Sequence, residues 1–145
     1  MPDRSTVVRA LHDLGLAAWF GGSLMGAVGL NGAAEDEGGN LRTAQIASHG
    51  WARWTPLNAA AIGMHLLGGA GVLLVNRRRV VGQRGVGAST MAKALLTAAA
   101  LGVTGYSRVL GKKIELAASP DPVHAEKAEA VPIGVEQAQQ QLRVA

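Results

Sequence analysis

The sequence predicts an all-α protein: a polytopic membrane helical bundle of about three transmembrane helices, followed by a polar C-terminal tail with a short amphipathic helix. Three observations predict it. Two long runs carry no charge, a third is nearly as long, and the apolar content is Ala, Gly, Leu and Val rather than aromatic. Aromatics are only 3% of the 145 residues, whereas a soluble core of this size draws much of its buried area from Phe and Tyr. The 20 glycines agree. Each costs a soluble helix about 1 kcal/mol relative to Ala, but in a membrane small residues let helix backbones approach closely.

The first helix is expected at about residues 10–34. From Leu14 to Ala34 there is no charged residue, and roughly 20 apolar residues suffice to cross the hydrocarbon core. Glu35-Asp36-Glu37-Gly38-Gly39-Asn40 then reads as a stop and a loop. The basic start and Gly32-Ala33-Ala34 also suit a cleaved signal peptide. The apolar run is longer than the usual signal core and has Asp13 at its edge, so it is read as a retained helix.

The second helix is expected at about 54–76. Trp54 to Val75 is free of formal charge, with Thr55, Asn58 and His65 as its polar members. Pro56 fits a first turn, where a missing N–H costs least. Trp51 and Trp54 suit a membrane interface. Arg77-Arg78-Arg79 ends the run. The third helix, about 90–110, spans the core if Lys93 and Arg108 extend their charged ends toward the headgroups. These helices make a membrane domain over 1–113.

Residues 114–145 form the polar tail. Ser119-Pro120-Asp121-Pro122 is a linker or turn. Val135, Ala138, Leu142 and Ala145 then recur at helical spacing, with Gln139, Gln140 and Gln141 mostly on the wet side.

The basic residues predict orientation. Arg77, Arg78, Arg79, Arg84 and Lys93 place the 77–93 loop in the cytoplasm, and the N-terminus with it. The protein is thus expected in the cell membrane as a multi-pass chain. Three spans put Arg108, Lys112 and Lys113 on the opposite side, against the same rule. An exceptional tail, a third helix that does not cross, or a fourth span each resolves the conflict.

Small residues form stripes. Gly15, Gly22, Gly26 and Gly29 fall on one face of the first helix, and Ala98, Gly102 and Gly105 on one face of the third. These are the expected helix-packing positions, within the chain or between copies. In the second helix Asn58 and His65 are seven residues apart and share a face. Intramembrane polar groups are expensive and turn toward a bundle interior. His65 is therefore either a proton carrier or haem or metal ligand, or a structural donor that joins helices with Asn58 through Ser23 or Thr97. His12, at the cytoplasmic edge, and His49, beyond the opposite edge, are not expected to reach it.

The absence of cysteine excludes disulfides, thiolate catalysis and Cys-ligated metal. No phosphate-binding glycine loop, H-E-x-x-H or G-x-S-x-G pattern occurs. No catalytic residue, metal or cofactor is expected, His65 being the one candidate cofactor ligand. The net charge of +4 concentrates beside an apolar run without aromatic platforms, which suits anionic headgroups rather than nucleic acid.

The segment Leu11-His12-Asp13-Leu14-Gly15-Leu16-Ala17-Ala18-Trp19-Phe20-Gly21-Gly22 resembles the first helix of copper-resistance protein D and related small bacterial membrane proteins of unknown function. The resemblance covers about a quarter of the chain. It implies a compact bundle, of four helices in the small members, and with three apolar spans this chain is expected to be a shortened or diverged member lacking the last helix. Copper is not supported by the methionines, which do not cluster, nor by any Cys.

The expected function is that of a non-enzymatic helix-packing or accessory component of a membrane assembly. Its partners are the lipid bilayer and copies of itself or a larger membrane complex. The alternative is a small transporter or redox-linked membrane protein with a polar path at His65 and Asn58.

Overall fold

In the computed structural model the described residues are 4–117 and 133–142, and among them every regular element is helical. Helix α1 spans Arg4–Met25 and passes through a π-helical stretch, Gly26–Leu30, into α2, Asn31–Asp36. Helix α3 runs Asn40–Gly82, α4 Arg84–Ala117, and the short α5 Val135–Leu142. Three helical stretches are long and apolar enough to cross a membrane: Thr6–Asp36, Arg42–Gly82 and Arg84–Ala117.

The helices exceed the expected spans at both ends. Charge ends a hydrocarbon span without ending a helix, because Arg, Lys and Glu are good helix formers. Helix α1 therefore starts at Arg4 rather than near residue 10, and the acidic Glu35-Asp36 is still helical. The turn comes at Gly38 (φ 67°) and Gly39 (φ 94°), the two residues of positive φ among those described, where any side chain would be strained. Thr43 Oγ1 donates to the Ala34 carbonyl across this turn at 3.0 Å. The connection between the first two spans is thus a few residues, not the loop of 35–53.

Helix α3 accordingly has 43 residues and places Pro56 in its interior rather than in a first turn. At 1.5 Å per residue it is about 65 Å long, twice a hydrocarbon core of about 30 Å. Between α3 and α4 only Gln83 is non-helical, and an added Cβ on Gly87 would lie 2.9 Å from the Val80 carbonyl. Glycine at 87 is what lets the chain bend back so tightly. Helix α4 runs past the 113/114 boundary to Ala117.

The chain divides into two compact units, residues 1–29 with 51–95, and residues 30–50 with 96–145. In the first, α1 lies antiparallel to the later part of α3. In the second, Leu110, Lys113, Ala34 and Ala138 are buried. There Tyr106 Oη donates to Gln141 Oε1 at 2.6 Å, tying α5 to α4. Helix α5 buries Ala138 and exposes Gln139 and Gln140. Ala145 and the 119–122 linker lie outside the described residues.

Candidate functional site

The first unit is organised by a seam with coiled-coil spacing. On α1 the seam positions are Val8, His12, Gly15, Trp19 and Gly22, continued by Gly26 at the start of the π-helical stretch. On α3 they are Trp51, Trp54, Asn58, Ala61, His65 and Gly68. Steps of three and four residues keep both rows on facing stripes. Large residues on one helix meet small ones on the other. A Cβ on Gly22 would collide with the Trp54 ring, and one on Gly26 with Trp51. A Cβ on Gly15 would strike the His65 backbone nitrogen and come within 2.7 Å of the Ala61 carbonyl. In the reverse direction Gly68 faces the backbone of His12, and Gly71 would place a Cβ 2.7 Å from Val8 Cγ1.

All three tryptophans belong to this unit's α1–α3 contact. Trp19 is 4% exposed, and Trp51 and Trp54 are half-buried against glycines. Trp51 and Trp54 both lie well inside α3, which begins at Asn40, and both pack against α1 glycines, a contact that the interfacial expectation did not include.

Toward the Val8–Gly68 end of the seam, where His65 is 4% exposed, two histidines stack. The ring centroids of His12 and His65 are 4.0 Å apart and their planes differ by 18°. Each ring reaches the other helix: His12 Nδ1 lies 2.9 Å from the His65 carbonyl oxygen, and His65 Nδ1 lies 3.1 Å from that of His12. A carbonyl oxygen only accepts, so each Nδ1 carries the proton and donates. In the neutral rings Nε2 is then the basic atom. The indole of Trp19 covers His65 from another side, with centroids 6.0 Å apart and a 60° tilt.

The separation of His12 from His65 expected from the topology is therefore corrected. Helix α1 starts early enough that His12 lies inside the seam, and the antiparallel register brings it beside His65. His49 is exposed, on the part of α3 that belongs to the second unit. The expected link from His65 through Ser23 or Thr97 gives way, at Nδ1, to the His12 carbonyl.

Asn58 lies in the same seam, two turns before His65. Its Oδ1 is buried without a hydrogen-bond partner, as is Nε1 of Trp54 one turn earlier. An unpaired buried acceptor and donor, each about 1–3 kcal/mol unfavourable, stand on adjacent turns of one face.

The remaining small-residue positions are placed differently. Gly29 meets only the side chain of Met25 in its own helix, 3.9 Å from an added Cβ. Gly102 and Gly105 have open space around them, and Ala98 is exposed. Among the described residues no group of three His, Cys, Asp or Glu is arranged to hold a metal ion.

Comparison with known proteins adds nothing to this geometry: no family model, no curated protein and no solved structure matches the chain.

Proposed function

We propose that this chain is an integral membrane protein whose role is structural: a helix-packing or accessory component of a larger membrane assembly, or of an assembly of its own copies. One observation carries the reading. The apolar stretches of the first two spans are 17% buried within the chain, whereas that of α4 is 0% buried. Leu95, Leu96, Val103 and Val109 are all exposed, and the glycines of the Ala98, Gly102 and Gly105 face have open space against them. Lipid can cover the leucines. A small-residue stripe lets another helix approach closely.

In this reading the chain lies in the cell membrane, crosses it three times, and keeps its N-terminus and the 77–93 segment in the cytoplasm. The α1–α3 pair is the rigid part and α4 the contact helix. The resemblance of residues 11–22 to copper-resistance protein D fits a bundle.

Extraction from native membranes in mild detergent tests it. A larger complex or a defined homo-oligomer, recovered in near-stoichiometric amount, is the expected result. A monodisperse monomer would refute it.

A second reading is favoured by the histidine pair. The two stacked imidazoles and, two and three turns along the same seam, the unpaired Asn58 Oδ1 and Trp54 Nε1 would together supply a polar track through an apolar seam. A small transporter or redox-linked protein uses such a track to move protons. His65→Leu separates the two. A structural role predicts loss of hairpin stability, and a path predicts a folded but inactive protein.

A further inference from the structure

The end of α3 carries a shallow, open groove lined by the apolar stems of two arginines. Arg77, Arg78, Val81 and Gly82 line an open depression of about 440 Å³. Val81 is 90% exposed there, beside guanidinium groups that are also exposed. From Gly38 to Ile114 the sequence contains no Asp or Glu. Among the described residues Lys112 pairs with Glu115, in the other unit, and none of Arg77, Arg78, Arg79 and Arg84 is ion-paired. These four arginines, close in sequence, thus have no acidic partner among the described residues.

We infer that this groove binds one anionic phospholipid, its phosphate between the Arg77 and Arg78 guanidiniums and its acyl stem along Val81 and the backbone of Gly82. The inference rests on the membrane reading above. Three features select a lipid. Guanidinium forks pair with phosphate oxygens through two parallel hydrogen bonds. The space between them is apolar, which suits an acyl chain and not a free anion. Finally, Val75 to Gly82 is where the apolar run of α3 gives way to charge, the depth of a headgroup. The tight bend allowed by Gly87 keeps α4 close to Val80 and fixes the shape of the elbow.

The test uses the full chain in detergent, exchanged into mixed vesicles of phosphatidylglycerol and phosphatidylcholine and read by native mass spectrometry for retained lipid. The expected result is retention of one phosphatidylglycerol in preference to phosphatidylcholine. Arg77→Gln with Arg78→Gln lowers that retention roughly 25-fold, about five-fold for each basic residue at an anionic surface. Arg53→Gln, elsewhere on α3, leaves it unchanged, and circular dichroism shows all variants equally helical. Equal retention of both lipids, or retention unaffected by the double substitution, overturns the site while the membrane reading stands. Displacement by glycerol phosphate at equal concentration also overturns it, since the headgroup alone would then suffice. A protein that does not enter the vesicles overturns the membrane reading and the site with it.

Discussion

Glycine and histidine carry this fold at the scale of the residue. Gly15 faces backbone atoms of α3, which cannot move aside as a side-chain tip can. Gly15→Leu is expected to destabilise the α1–α3 pair by about 1–3 kcal/mol or more, whereas Gly21→Leu, with nothing near its Cβ, leaves it unchanged. Thermal unfolding in detergent distinguishes them. His12 and His65 each donate to the other's helix, so a double-mutant cycle of His12→Leu and His65→Leu should give a coupling of about 1 kcal/mol. A coupling of zero would mean that the stacked pair does not act as one unit. Asn58→Leu removes a buried acceptor without a partner and is expected to raise stability by about 1 kcal/mol. If it lowers stability, an ordered water or ligand satisfies Oδ1. The period of Gly15, Gly22 and Gly26 could be read directly, because it is a property of one helix. The pairing of His12 with His65 could not, because it depends on which residue of α3 lies opposite residue 12. That register is set by where two helices start, and the apolar runs marked neither start.

Element boundaries show why hydropathy is an incomplete guide. An uncharged run measures what hydrocarbon will accept, and three such runs correspond to three long helices. Helix ends obey other rules. The acids at Glu35 and Asp36 and the arginines at 77–79 all remain helical, while Gly38-Gly39 stops the chain through positive φ. Gly38→Val and Gly39→Val are each expected to cost about 1 kcal/mol or more from that conformation alone. Gly32→Ala, helical and with open space, is expected to be neutral or slightly stabilising. Unfolding of the variants followed by circular dichroism checks both. The tryptophans show a contact that the edge of an apolar run does not reveal: α3 extends eleven residues before Trp51, and Gly26 and Gly22 open the space that the two rings fill.

At the largest scale, the α1–α3 pair buries residues of its apolar stretches, whereas the apolar stretch of α4 has none that is fully buried within the chain. That asymmetry was only half legible. The stripe of Ala98, Gly102 and Gly105 was visible, but not that its glycines meet open space, since a single sequence does not say which of two small faces is used at home. The central claim is that α4 meets another helix in the membrane. It is tested most directly by placing a photoreactive side chain at Gly102, irradiating native membranes, and comparing with the same probe at Leu96, on the other side of α4. The account predicts one discrete cross-linked protein product at Gly102, either a second copy or a single partner, and lipid adducts at Leu96. Lipid adducts alone at both positions would contradict it, and α4 would then be a helix that faces only the bilayer.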